Sequence, residues 1–339
     1  MLKLGIVGCG KVTTTFHMKA IRDISDISVV ALSDINKDRM AEVQRICSAD
    51  RCYLDYEQML QDPEVAAVSI CTPPQTHFEM TLQAVMKGKH VLCEKPVAQT
   101  QSQCKELDSL AKKMGVVVLP VHNFLFTPSL VLAHSLISDG RIGSMKSTEI
   151  EISSSLRLYR PRTDFRMTNQ FGVVDDLLPH ALSTSCWLGG PVQTIRKARA
   201  WGQRSSVFDN ASLSFLLRDN VGLQVELSWT KLLPAFRVST VGGRGRLELD
   251  LMRSPNTCKL WTNGTRSTLG SQGLLRDHAW MLRVKHPAFR NQYVHFMNVI
   301  AGWEQPVMGL KEEATIIEAT EGVRSLLSMS ALSEGSSAK

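Results

Sequence analysis

The sequence reads as an α/β protein: a doubly wound parallel sheet of the dinucleotide-binding kind over residues 1–122, then an α+β domain on a mostly antiparallel open sheet over residues 123–339. Three observations carry this. Apolar runs alternate with helical stretches through the first 122 residues. A two-glycine turn, Gly8-Cys9-Gly10, follows the first of those runs, and Glu94-Lys95-Pro96 closes a later one. Beyond Asn123 short strand-like pieces, parted by turn residues, dominate.

Leu2 to Val7 is the first apolar run, ending at glycines, and Thr13 to Ile21 is the helix after the turn. Ile27 to Ser33, closed by Asp34, is the second strand; Val65 to Cys71, His90 to Glu94 and Val116 to Val121 continue the series. Phe78 to Lys87 and Ser102 to Met114 read as helices. Gly88 and Gly115 follow them, because glycine accepts the left-handed conformation that ends a helix. Strands separated by helices of this length imply βαβ units and hence a parallel sheet. In the second part, Ser212 to Arg218, Gly222 to Trp229, Arg237 to Val241 and Arg246 to Leu251 are strand-like. Asp219-Asn220 and Gly242-Gly243 part them, which favours antiparallel pairing. Glu312 to Leu327 reads as a late amphipathic helix and Ser333 to Lys339 as a frayed tail.

A chain of 339 residues suits two domains with sizeable cores. No stretch approaches the roughly 20 apolar residues that span a bilayer, and a first strand at Leu2 leaves no room for a signal peptide. The eight cysteines form no CxxC pair, so they read as reduced packing residues of a cytoplasmic protein, with no metal site. The net charge of +7 is uneven: residues 1–122 carry 14 basic and 14 acidic side chains, residues 123–339 carry 25 and 18. A basic second domain suits an acidic small substrate or plain solvation. No aromatic-interleaved basic tract is present, so nucleic acid is not an expected partner.

Gly8-Cys9-Gly10-Lys11-Val12-Thr13 has Thr where the dinucleotide fingerprint usually has Gly or Ala. The glycines let the chain turn tightly and let its backbone approach a pyrophosphate at a helix N-terminus. Asp34 ends the second strand 24 residues after Gly10. A carboxylate there accepts hydrogen bonds from ribose hydroxyls and repels a 2′-phosphate, so NAD is expected, with NADP disfavoured. A plain strand–turn–helix with a solvated aspartate is the bland alternative; the concurrence of signals favours the cofactor.

Asp176 and His180 open a run, Ala181 to Leu188, that reads as helical until Gly189-Gly190. Proline is tolerated in a helix's first turn, so Pro179 places the helix start nearby. Asp176 and His180 then lie one turn apart on one face. Imidazole suits proton transfer near neutral pH, and a carboxylate beside it can orient it. Equally, Asp176 is an N-cap and His180 a satisfied, partly buried histidine.

Glycine turn, Glu94-Lys95-Pro96 and Asp176-xxx-His180, in that order, resemble the glucose–fructose oxidoreductase / inositol dehydrogenase / MocA (Gfo/Idh/MocA) family, over nearly the whole chain. Thr72-Pro73-Pro74-Gln75-Thr76-His77 is similar to the family's Thr-Pro loop, and Val241 to Glu248 to its late glycine-rich hairpin. Asn123-Phe124-Leu125-Phe126-Thr127-Pro128 resembles its domain-joining segment, with Leu125 where an arginine is common. The resemblance implies an N-terminal Rossmann domain and an open-sheet domain that supplies substrate contacts and often the oligomer face, hence a homodimer or homotetramer. It implies cofactor contacts from Gly8, Gly10, Lys11, Val12 and Asp34 in the first half of the sheet. From the second half it implies Thr72, Pro73, His77, Glu94, Lys95 and Asn123. It makes Lys95, Asp176 and His180 the catalytic residues, in contact with substrate.

Arg157, Arg160, Arg162 and Arg166, with Tyr159, cluster shortly before Asp176. Guanidinium groups grip phosphates and carboxylates bidentately, so Arg157, Tyr159, Arg160 and Arg162 are candidates for an anionic, sugar-like substrate; a solvated or subunit-interface loop is the other reading. The expected function is an NAD(H)-dependent oxidoreductase working on a secondary hydroxyl, or the matching ketone, of a sugar, cyclitol or nucleotide-sugar. The alternatives are an NAD-dependent glycosidase that oxidises its substrate transiently and a non-catalytic NAD-binding sensor.

Overall fold

The computed structural model describes residues 1–47, 49–154, 170–202, 207–270 and 287–336. The chain divides into two units: Met1–Phe126 with Ala279–Ala314, and Thr127–His278 with Thr315–Lys339. This differs from the expected continuous split between residues 122 and 123. The turn Asn123–Phe126 stays with the first unit, and a late stretch of chain returns to it.

The described residues of the first unit form six strands: β1 (Leu2–Val7), β2 (Ile27–Ser33), β3 (Arg51–Tyr53), β4 (Ala67–Ile70), β5 (His90–Glu94) and β6 (Val118–Val121). They are ordered β3-β2-β1-β4-β5-β6, with every pair parallel. That is the order of the dinucleotide-binding doubly wound fold, with its switch point between β1 and β4. All four residues of β4 are buried, as expected of a strand covered on both faces. The edge strand β3, too short to show in the sequence, is pinned by Asp62, which accepts from Arg51 Nη1 at 2.8 Å and from Tyr53 Oη at 2.9 Å. Helices α1 (Met18–Ile21), α2 (Lys37–Cys47), α3 (Tyr56–Gln61), α4 (His77–Met86) and α5 (Gln101–Met114) connect the strands. Thr13–His17 forms a π-helical turn that runs into α1. The Thr100 hydroxyl and the Gln103 amide cap α5 reciprocally, and Gly115 ends it at φ 65°.

The late stretch supplies a helix, Pro287–Ile300 (called α8 below). Tyr293, Phe296 and Val299 enter the same core as Leu4, Ile6, Met18 and Ile21. Phe289 stacks on Phe16 at 5.3 Å, and Gln292 Nε2 donates to the Pro120 carbonyl at 2.9 Å. Burying these aromatics is why the segment belongs to the first unit.

The described residues of the second unit form eight strands: β7 (Met145–Ser153), β8 (Val192–Trp201), β9 (Asn210–Leu217), β10 (Gly222–Ser228), β11 (Ala235–Gly242), β12 (Gly245–Asp250), β13 (Thr257–Thr262) and β14 (Thr265–Gly270). Their order is β14-β13-β12-β11-β7-β10-β9-β8, antiparallel throughout except for the β7–β10 pair. Along β11, Phe236, Val238 and Thr240 are buried while Arg237 and Val241 are exposed, the period-two pattern of a sheet packed on one face. Helices α6 (Pro128–Ser138) and α7 (Gly172–Gly189) pack against it.

Helix α7 starts four residues before Asp176, and Pro179 lies inside it, so the expectation that Pro179 marks the first turn is overturned. An interior proline costs about 3 kcal/mol. Val173, Val174, Leu177, Leu178, Ala181 and Leu182 are all buried, and that packing outweighs the lost hydrogen bond. Gly172 (φ +30°) fixes the start: a Cβ there would meet the Phe208 carbonyl at 2.6 Å, and Val173 N–H donates to the same oxygen at 2.9 Å. A last helix, α9 (Leu310–Ser336), has Leu310–Ala314 in the first unit and the remainder in the second. It runs through Ser333–Ser336, where a frayed tail was expected. Among the described residues, no helix is long and apolar enough to cross a membrane.

Candidate functional site

All six strands of the first unit point the same way, so their carboxyl ends share one edge. That edge brings together Gly8 and Gly10 after β1, Asp34 after β2, Thr72 and Pro73 after β4, Glu94 and Lys95 at the end of β5, and Asn123 after β6.

Each glycine of the turn has its own reason. Gly8 sits at φ +87°, and a Cβ there would meet the Cys71 backbone at 2.9 Å. Gly10 has nothing within 4 Å of such an atom. Open space at the second glycine is what a backbone needs if a pyrophosphate is to approach it. The turn is braced from both sides: Gly8 N–H donates to Ser33 O at 2.8 Å, and Thr13 Oγ1 donates to Gly8 O at 2.5 Å. Lys11 is exposed and Val12 half-buried at its outer rim. Asp34 accepts from Cys9 N–H at 2.6 Å and from Asn36 N–H at 2.8 Å, so its carboxylate is already oriented at the loop. These residues fit a dinucleotide.

Glu94 and Lys95 rest on a buried network that the sequence did not disclose. Glu94 Oε1 lies 2.9 Å from His17 Nε2, and His17 Nδ1 lies 2.7 Å from Tyr293 Oη. Tyr293 Oη in turn lies 2.8 Å from Ser69 Oγ. Lys95 N–H donates to Glu94 Oε2 at 3.3 Å, and the Lys95–Pro96 peptide is cis. Burial alone would lower the pKa of His17, but Cys71, Tyr293 and Glu94 around it raise it well above the ordinary value. For Glu94, burial pushes upward, yet His17, with Lys95 and His77, brings the carboxyl below its usual range. Both directions favour an imidazolium–carboxylate pair. Burial pushes the Tyr293 hydroxyl up to about 12, which keeps it neutral.

His77 is turned inward. Its Nδ1 and Nε2 each lie 2.8 Å from a backbone oxygen, of Pro96 and Thr72 respectively, so it ties the Thr72-Pro73 loop to the Lys95-Pro96 turn. Asn123 is buried in the turn that follows β6.

In the second unit, Asp176 and His180 lie one turn apart on α7. Asp176 is not an N-cap, because the helix starts earlier; its Oδ2 accepts from Trp229 Nε1 at 3.3 Å. Its neighbour Asp175 is engaged separately, accepting from Arg324 Nε at 2.7 Å. Arg157, Tyr159, Arg160, Arg162 and Arg166 lie outside the described residues. No group of His, Cys, Asp and Glu among the described residues could hold a metal ion.

Residues 2–122 match the sequence model of the Gfo/Idh/MocA oxidoreductase family, described as having an NAD-binding Rossmann fold. Over these residues the chain belongs to this family. Myo-inositol 2-dehydrogenase of Thermotoga maritima is 28% identical over 142 residues, which is 42% of each chain. The chain spans 67%, 46% and 42% of the lengths of three curated family relatives that it matches. Among solved structures, an oxidoreductase of Agrobacterium radiobacter in complex with NAD+, L-tartaric acid and magnesium superposes with a TM-score of 0.83 at 19% identity, covering 95% of this chain and 96% of that one. UDP-N-acetylglucosamine 3-dehydrogenase of Acidithiobacillus ferrooxidans superposes at 0.79 with 22% identity, covering 96% and 97%. At these identities the two structures establish that both units share the fold of these two oxidoreductases.

Proposed function

We propose that this family member is an NAD(H)-dependent oxidoreductase acting on a secondary hydroxyl, or the corresponding ketone, of a sugar, cyclitol or nucleotide-sugar. One observation carries the reading: the open glycine turn, Asp34 and the Glu94-Lys95 strand end meet on one edge of a parallel sheet. The myo-inositol 2-dehydrogenase and UDP-N-acetylglucosamine 3-dehydrogenase among its relatives act on ring hydroxyls of the proposed kind. Gly8, Gly10, Lys11, Val12 and Asp34 would hold the adenosine and pyrophosphate part of NAD. Thr72, Pro73, Glu94, Lys95 and Asn123 would border the remainder, with His77 bracing two of these loops from beneath. When bound, the nicotinamide supplies the hydride acceptor or donor.

The chain's own residues handle the proton. In the oxidative direction His180 takes the proton from the substrate hydroxyl, and Lys95 stabilises the alkoxide that develops. Asp176 orients the histidine or the hydroxyl. General-base help of this kind contributes about 10²–10⁴-fold, and a positioned charge at the oxyanion about 10²–10³-fold. Arg157, Tyr159, Arg160 and Arg162 would grip an anionic group on the substrate. A homodimer or homotetramer in the cytoplasm completes the proposal.

A panel of cyclitols, sugars and nucleotide-sugars, followed by NADH absorbance, tests it. Net NADH is expected with a ring alcohol. Release of an aglycone with the cofactor unchanged would instead establish the transient-oxidation glycosidase. Lys95→Met and His180→Asn should each bind NADH and lose turnover by about 10²-fold or more. His180→Asn should also lose the low-pH limb of the oxidation profile, since protonating the base is what shuts it off. Near-normal turnover in either variant removes that residue from the mechanism.

A further inference from the structure

The network beneath Glu94 does something that the reaction scheme leaves unused. His17 is fully buried, yet both ring nitrogens are engaged, one by Glu94 and one by Tyr293. Ser69 and Tyr293 are buried as well, and the Ser69–Tyr293 contact gives the tyrosine hydroxyl a second partner. These groups come from four places: the helical turn after the glycine loop, β4, the end of β5 and α8. Three polar side chains held this far from water, with the half-buried Glu94 as the fourth member, cost stability unless each bond is made. The arrangement ends on Glu94, which uses its other oxygen on the backbone N–H of Lys95.

We propose that His17 is a positioning residue for Lys95: its Nε2 clamps the Glu94 carboxylate, Tyr293 and Ser69 fix the imidazole that does so, and Glu94 holds the backbone turn from which the Lys95 side chain departs. The proposal rests on the reading of Lys95 as a catalytic residue. Its physical content is geometric. A lysine ammonium on a four-carbon stem reaches a developing alkoxide reproducibly only if its own Cα is fixed. Glu94 alone would be a poor fixture, because an unanchored carboxylate beside solvent samples several rotamers. His17 converts it into a rigid strut. The same imidazole sits at the end of the turn that begins after Gly10, so the strut joins the glycine-turn segment to the Lys95 segment.

Three substitutions separate this role from general support of the core. His17→Leu fills the space without a donor, Tyr293→Phe removes a single hydroxyl, and His17→Gln offers Glu94 an N–H again. The first readout is amide hydrogen exchange at Lys95, which needs no substrate. Loss of one such hydrogen bond corresponds to about a tenfold change. Exchange at Lys95 should therefore quicken about tenfold in His17→Leu and less in Tyr293→Phe, and recover in His17→Gln, with exchange in β1 unchanged. The second readout is NAD+ reduction with myo-inositol and UDP-N-acetylglucosamine as probes, alongside Lys95→Met. Here kcat should fall about tenfold or more in His17→Leu while KM and NADH affinity hold, with recovery in His17→Gln. Unchanged exchange at Lys95 in His17→Leu overturns the proposal, as does a wild-type kcat in His17→Leu when Lys95→Met is inactive. If Lys95→Met itself turns over normally while Lys95 exchange responds to His17, the catalytic reading of Lys95 fails and the strut remains. Should neither probe be turned over, the exchange measurement decides alone.

Discussion

Asp34 shows how much one side chain can carry. In the proposed reading its carboxylate meets a ribose, yet Oδ2 also accepts from the Cys9 N–H within the glycine turn. Calorimetry should find NADH bound more tightly than NADPH, because the carboxylate repels a 2′-phosphate. Asp34→Ser should not simply convert the preference: it relieves the repulsion but also releases the Cys9 N–H, so NADH weakens strongly and NADPH gains little. Tight NADPH binding by Asp34→Ser would show that the turn needs no such brace. The His17–Glu94 pair makes a second prediction at this scale. His17 has a raised pKa in the folded chain, so its contribution is full below about pH 6.5, the free value, and is lost as pH rises through the raised one. Glu94 has a lowered pKa, so its contribution is present above about pH 4.3, the free value, and is lost as pH falls through the lowered one. The difference in melting temperature between wild type and His17→Leu should accordingly be largest between those limits and shrink on both sides. A pH-independent difference would mean the pair is not ionised. That Gly8, Gly10, Asp34, Glu94 and Lys95 share one edge of the sheet was legible because each belongs to a local motif. His17 and Tyr293 were not, because 276 residues separate them and only the fold makes them neighbours.

Secondary-structure elements were legible where chemistry and periodicity agreed. The helix before Gly115 is one such case: its reciprocal cap was not read, but its glycine stop was. Thr100→Ala should remove one half of that cap and cost about 1 kcal/mol, measured by urea unfolding, with NADH affinity unaffected. A loss well below that would mean the Gln103 side chain caps unaided. Helix α7 is the contrary case. Pro179 reads locally as a start signal, and the true start is set by Gly172 against Phe208, a contact made across the chain. Edge strand β3 escaped notice for a related reason. Its three residues carry no periodicity, and Asp62 holds it from outside.

At the scale of the molecule the two-domain plan and the sheet types were visible in composition and alternation, while the true partition was not. Nothing in Pro287–Ile300 announces that its aromatic residues complete a core begun at Leu4, some 280 residues earlier. A fragment of residues 1–126 should therefore be aggregation-prone and bind NADH poorly. Joining residues 287–314 to it through a flexible linker should restore a cooperative thermal transition. A well-folded, NADH-binding fragment 1–126 would show that α8 only decorates a core complete without it.

That partition also dictates a schedule for synthesis. Chains emerge amino-terminus first, and domains generally fold as units during translation. Here the first unit cannot be finished early, since Tyr293, Phe296 and Glu313 are made only after residues 127–278 of the second unit, and Glu313 lies 2.6 Å from the buried His122. While the ribosome decodes the whole intervening unit, the parallel sheet must wait with an apolar flank uncovered. Arrest of synthesis at successive lengths, with protease sensitivity of the first 126 residues as the signal, should show protection appearing only after residue 314 has cleared the exit tunnel.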